Sequence, residues 1–251
     1  MPKLSVVIIT FNEEEQVGRC IDSVQDLADE VVVLDSFSTD QTEAICRQKN
    51  AVFHQHVFDG YIEQKNRALA LASFDFVLSL DADEALSDEL RTSINAIKEN
   101  PPAQGFTMNR LNSYCGKWIR HSGWYPDRKL RLVDRRTSRW EGVNPHDKLV
   151  ISSGSIKQLQ GDLLHYSYNS IKGHIQQANN FSEIAAATMF KNGVKAPAWK
   201  LIVNPSIMFL KCYILKAGFL DGFFGYTICR ISAYATFLKY AKLRQFWLER
   251  K

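Results

Sequence analysis

Between residues 4 and 98, short apolar runs alternate with helical apolar patterns, and no other feature restricts the fold as much. Leu4–Thr10 is a β-branched run. Glu30–Leu34 ends at Asp35, Ala51–His54 is a short third run, and Phe74–Leu80 is a fourth; all four read as strands. Val17, Cys20, Ile21 and Val24 recur at helical spacing after the first run, with Asn12 as N-cap and Glu15 at the N3 position of a capping box. Ser38-Thr39-Asp40 offers caps for a helix through Gln48, and Glu63–Ala72 and Leu86–Lys98 read as further helices, the last capped by Ser87 or Asp88. Strands alternating with helices at these lengths predict a parallel sheet with crossover helices. Ligands of such sheets bind beyond the carboxyl ends of the strands.

Polar groups cluster at those ends: Thr10-Phe11-Asn12-Glu13 after the first strand, Asp35 to Asp40 after the second, and Asp81-Ala82-Asp83-Glu84 after the fourth. On an extended segment Asp81 and Asp83 point the same way, and two converging carboxylates repel unless a cation lies between them. Hard divalent ions take such oxygens and commonly add substrate phosphates to their shell. The alternative is a solvated turn or a helix cap. The same choice applies to Asp40, which reads as a cap, and to Asp35, which reads as a ligand for a base N–H or a ribose hydroxyl.

The 251 residues suffice for one large domain or a domain with an appendage. After Pro101-Pro102 shorter strands are expected at Gly105–Leu111, Lys129–Asp134 and Leu149–Ser152, then a helix over Ser170–Lys191 with Ile171, Ile175, Ala178, Phe181 and Ile184 along one side. Ala196-Pro-Ala marks a break. The expected organisation is 1–100, a nucleotide-binding half; 101–192, an acceptor half of the same domain; and 193–251, a basic amphipathic helical appendage. Five widely spaced cysteines without a Cys-x-x-Cys pair argue against a zinc site or a disulfide framework and for a reducing compartment.

Four stretches in order, Val6–Glu13, Asp35–Thr42, Gln64–Leu69 and Leu80–Glu84, resemble the nucleotide-sugar domain of family-2 glycosyltransferases. Trp124–Leu132 and Pro145–Leu149 resemble the small bacterial members that build the lipopolysaccharide inner core, of the β-1,4-glucosyltransferase type. The resemblance spans about residues 3–185. It implies an α/β fold of the GT-A kind, a mostly parallel central sheet flanked by helices, with a C-terminal helical appendage. It implies a UDP-sugar donor and a divalent metal, Mg²⁺ or Mn²⁺. Thr10, Asn12 and Glu13 would line the base pocket, Asp35 would contact uracil or ribose, and Lys65 would lie near the base or diphosphate. Asp81 would approach the ribose or the metal, Ala82 would lie between the two acids in the donor site, and Asp83 and a late histidine, His165, would ligate the metal. An isolated histidine reads equally as a structural hydrogen-bonder.

Transfer to a hydroxyl needs a general base. Asp147, in Pro145-His-Asp-Lys, is preferred; Glu141 is the other candidate. A surface Asp beside Lys148 is the plainer reading of Asp147, and many relatives carry Glu there. Arg128, Lys129 and Arg131 are expected to hold phosphates, or else to form a solvated basic edge. Trp118, Trp124, Tyr125 and Trp140 suit either sugar stacking or core packing.

Residues 195–251 carry ten Lys or Arg against two acids, an excess of eight that leaves the rest of the chain at minus four. Aromatic and aliphatic side chains interleave with these cations, and no apolar run reaches spanning length. Amphipathic helices on an anionic leaflet fit the pattern; a packed helical pair or a homo-oligomer interface is the alternative. The expected partners are a nucleotide sugar, a lipid-linked saccharide acceptor and the cytosolic face of a bacterial inner membrane, with the protein cytoplasmic and peripheral. No nucleic-acid motif is present. Two rival functions are a sugar nucleotidyltransferase, disfavoured because Thr10-Phe-Asn-Glu lacks a glycine- and lysine-rich loop, and a non-catalytic membrane-surface adaptor.

Overall fold

The computed structural model describes residues 3–143 and 146–250, with His146 placed through its backbone. Contacts divide the chain into two compact units. The first is Met1–Arg110 with Asp127–His165, the second Leu111–Pro126 with Tyr166–Lys251.

The first unit opens with β1 (Leu4–Thr10), α1 (Val17–Asp22), β2 (Glu30–Asp35), α2 (Thr42–Gln48), β3 (Val52–Gln55), α3 (Tyr61–Leu71) and β4 (Phe76–Asp81). β1 lies between β2 and β4 and is parallel to both, and β3 continues the parallel run beyond β2. Then come β5 (Glu84–Leu86), α4 (Asp88–Lys98), β6 (Gly105–Tyr114), β7 (Lys117–Ile119), β8 (Asp127–Asp134), the antiparallel hairpin β9 (Ser138–Val143) and β10 (His146–Ile151), and β11 (Ile156–Tyr168). The sheet order is β3-β2-β1-β4-β8-β6-β11-β5. β8 runs antiparallel to β4 and β6, and β11 antiparallel to β5. The α/β architecture is as expected, but the sheet is mixed rather than mostly parallel: β1 to β4 pair in parallel, and the described pairings of the later strands are antiparallel.

Both faces of the sheet are covered, which is why its strands read as unbroken apolar runs. Along β1, Val6 and Ile8 pack with Val17, Cys20 and Ile21 of α1 and Leu90 and Ile94 of α4. Val7, on the opposite face, packs with Ala68 and Leu69 of α3 and with Trp140 and Leu149 of the hairpin. Each Val, Leu or Ile among them contributes about 1.5–3 kcal/mol on burial. Ser87 caps α4 as expected, accepting from Leu90 N at 3.2 Å. Asn12 does not cap a helix. Its φ is +54°, a left-handed conformation that asparagine tolerates, and α1 starts only at Val17. Its Oδ1 instead accepts from Thr39 N at 2.8 Å, tying the loops after β1 and β2 together.

The second unit holds β7, α5 (Ile171–Lys191), α6 (Lys200–Leu210) and α7 (Gly222–Glu249). Tyr114, Trp124, Tyr168, His174 and Phe224 form one aromatic cluster; Ala186, Phe190, Leu243 and Trp247 belong to a second. Ser170 caps α5, accepting from Gly173 N at 3.1 Å. The expected apolar side of α5 is only partly its buried side: Ala178 is buried and Ile171 packs against the first aromatic cluster. His174, Ala178, Ser182 and Ala186 are buried, whereas Ile175, Phe181 and Ile184 are exposed. Small side chains allow α5 to sit close to α7, and that packing outweighs the aliphatic stripe. All five cysteines are free.

Candidate functional site

The parallel register fixes the geometry of the site. Thr10 is opposite Asp35, and Ile9 is opposite Asp81, so three strand ends deliver their polar groups side by side. Beyond them lies a cavity of about 1080 Å³ within the first unit. Thr10, Glu13, Lys65, Asp81, Ala82, Asp83, Arg128, Lys129, Asp147 and His165 line it. Asp35, Asn12 and Glu141 do not. Asp35 is fully buried; its oxygens accept from Thr10 Oγ1 at 2.9 Å and from Ser38 N at 2.8 Å. Glu141 is ion-paired with Arg139.

Asp81 and Asp83 do not share one extended segment. The chain turns at Ala82-Asp83 between β4 and β5, and the two carboxylates diverge to different partners. Asp81 lies 3.0 Å from Lys65 Nζ and 2.9 Å from Arg131 Nη2. Burial would raise its carboxyl, but the Lys65 and Arg131 charges overturn that and hold it well below the usual carboxylate range. Asp83 Oδ2 lies 3.0 Å from His165 Nε2. Strand pairing brings these two together: His165 on β11 is opposite Glu84 on β5, the residue after Asp83.

Lys65, almost fully buried on α3, also lies 2.8 Å from Asp147 Oδ2 on β10. One ammonium thus joins the acidic turn to the hairpin. Its Nζ sits 4.4 Å from the centre of the Trp140 ring, with the Arg131 guanidinium 5.2 Å from the same ring. Asn66 fixes the hairpin to α3 by accepting from Trp140 N and donating to Trp140 O, each at 2.9 Å. Trp140 therefore forms part of the cavity wall, against Lys65 and Arg131. Trp118 and Trp124 lie elsewhere, in the second unit, where Trp118 meets Tyr166 and Trp124 meets Tyr114.

Arg131 is buried beneath the site, 2.9 Å from both Asp81 and Glu84, rather than on an open basic edge. Glu84 is a buried support of the site that sequence reasoning passed over. Fully buried, it pairs with Arg131 and accepts from Asp81 N at 3.1 Å, bracing the turn. Its place directly after Asp83 was the available signal. Val57, Phe58 and Tyr61 add, beside Phe11 of the first motif, an apolar wall that no motif announced.

Glu13 records the negative charge gathered here. Burial, then the charges of Asp83, Asp40 and Asp81, push its carboxyl up to about 7. Among the described residues no three His, Cys, Asp or Glu side chains group as a metal cluster. The Asp83–His165 pair nevertheless offers one oxygen and one nitrogen donor at the cavity wall. Two protein ligands fit a divalent ion that completes its shell with phosphate and water.

Residues 5–159 match Glycosyl transferase family 2. A glycosyltransferase of Rickettsia typhi is 32% identical over 99% of this chain and 89% of its own length. The lipopolysaccharide core biosynthesis glycosyltransferase LpsC of Rhizobium meliloti is 29% identical over 98% of this chain and 94% of its own. A solved glucosyl-3-phosphoglycerate synthase of Mycobacterium tuberculosis, in complex with Mn²⁺ and UDP-glucose, is 27% identical over 45% of this chain and 44% of that one, with a TM-score of 0.37. The chain is a glycosyltransferase and belongs to glycosyl transferase family 2.

Proposed function

We propose that this glycosyltransferase moves a hexose, with glucose favoured, from a UDP-sugar to a lipid-linked or lipopolysaccharide-core saccharide, with inversion at the anomeric carbon and dependence on Mg²⁺ or Mn²⁺. The observation that carries this reading is the meeting, in one cavity, of the Asp83–His165 pair and of Asp147 held through Lys65. Asp83 and His165 would hold the metal, which when bound neutralises charge on the departing diphosphate. Asp81, neutralised by Lys65 and Arg131, braces the turn and is not needed as a ligand.

In a single displacement, the acceptor oxygen forms its bond to the anomeric carbon as the carbon–oxygen bond to the diphosphate breaks. The bonding electrons leave with UDP, and Asp147 accepts the hydroxyl proton. Lys65 holds that carboxylate in place. Arg128 and Lys129 face the cavity and suit an acceptor bearing phosphate or carboxylate groups. Full-length similarity to LpsC supports the saccharide acceptor. Among the described residues no helix is long and apolar enough to cross a membrane, so access to a lipid-linked acceptor on the cytosolic face of an inner membrane would be peripheral.

Calorimetric titration with UDP and Mn²⁺ tests the donor site. Wild-type protein binds the pair more tightly than UDP alone, and Asp83→Ala loses that metal-dependent gain together with at least about 10²-fold in turnover. Undiminished binding and turnover in Asp83→Ala refute the assignment.

A further inference from the structure

One surface of the second unit is built against the usual rule for water-facing helices. α6 continues through a wide helical turn at Lys211–Leu215 and packs one side on α7, where Phe209 and Tyr213 meet Tyr226 at 5.9 and 5.8 Å. Its other side is apolar too. Trp199, Ile202, Ile207, Leu210 and Ile214 recur at helical spacing, and each is more than half exposed. Leu215, 79% exposed, and Phe223, 69% exposed, are further apolar side chains that this part of the second unit leaves exposed. A solvent-facing helix ordinarily places charged and polar residues there.

The charge of the segment that carries the patch has one sign. Lys195, Lys200, Lys211, Lys216 and Arg230 belong to the same segment. Between Glu183 and Glu249 the sequence holds a single acid, Asp221. Asp221 is buried and spent internally, accepting from His121 N at 2.9 Å and Arg120 N at 3.3 Å.

We infer that the outward side of α6, with Leu215 and Phe223, inserts into the outer few ångströms of an anionic lipid leaflet while the surrounding cations meet its phosphates. Charge complementarity selects this occupant. A second copy of the chain would set one cationic rim against another, whereas anionic headgroups neutralise it and acyl chains accept the aliphatic side chains. Trp199 has the amphipathic ring that favours headgroup depth. The inference rests on the proposed lipid-linked acceptor only for its purpose.

Flotation with vesicles tests it. Wild-type protein should float with phosphatidylglycerol-containing vesicles and bind phosphatidylcholine vesicles at least about tenfold more weakly, an effect that salt reduces. Ile207→Glu/Leu215→Glu should lose about tenfold or more in vesicle affinity with an unchanged circular-dichroism melt; Lys211→Gln/Lys216→Gln should lose the headgroup preference. Vesicle binding that ignores headgroup charge, or survives both double substitutions, overturns the inference. So does a wild-type dimer in sedimentation that Ile207→Glu/Leu215→Glu dissociates. UDP–Mn²⁺ titration of the same proteins keeps the two readings apart. Failure of nucleotide binding in the wild type defeats the donor site and leaves the vesicle result standing.

Discussion

Lys65 satisfies two carboxylates at once, Asp81 at 3.0 Å and Asp147 at 2.8 Å, with almost no exposure to water. Breaking a buried ion pair on one side costs about 3–5 kcal/mol, because the remaining charge keeps its desolvation penalty. Lys65→Met should therefore lower the midpoint of thermal unfolding by several degrees, and turnover should fall by more than the same protein's loss of UDP affinity. Lys65→Arg should recover stability better than turnover, since a guanidinium can neutralise the pair but cannot reproduce the position of one ammonium. Equal losses in both variants, or none, would show that the ammonium does not organise the hairpin. Sequence exposed Lys65 through its motif and Asp147 through its family neighbourhood. It did not reveal that one holds the other, because 82 residues separate them and only the docking of the hairpin on α3 closes that distance.

At the scale of elements, periodicity located the helices more securely than it oriented them. The span of α5 and its Ser170 cap were legible because both are local properties of the chain. Its buried side was not, because α7 and the aromatic cluster select small residues and a histidine there. Ala186 is fully buried and Ile184 is half exposed. Ala186→Leu should destabilise by about 1–3 kcal/mol through overpacking, whereas Ile184→Ala should stay within about 1 kcal/mol. Chemical denaturation of the two variants reads the contrast, and the reverse order would restore the aliphatic side as the packed one.

His174 on the same helix carries a pH dependence. Its Nδ1 lies 3.0 Å from the Tyr114 hydroxyl, and burial pulls its pKa from 6.5 down to about 4. The unfolded chain then binds the proton more readily than the folded one. The stability conferred by a neutral His174 is complete above about pH 6.5 and is lost as pH falls from there towards 4. Denaturant midpoints measured from pH 7.5 to 4.5 should fall in the wild type, and His174→Gln should flatten that part of the slope. A slope unchanged by the substitution would assign the acid sensitivity to other groups.

For the molecule as a whole, the separation of charge was the property most plainly written in the sequence. The cationic excess belongs to residues 195–251, and the donor-site acids to the amino-terminal hundred and the hairpin beyond it. Distribution of charge along a chain survives folding unchanged. So do strand-and-helix alternation and the family motifs, and these sufficed for the α/β architecture and the glycosyltransferase assignment. What folding alone decided were the partners of each charge. Asp81 is taken by Lys65 and Arg131, Asp83 by His165, and Asp35 by the loop that surrounds it. The reason is physical: a carboxylate's role follows from which groups lie within about 4 Å of it, and those neighbours come from strands and helices far apart in sequence.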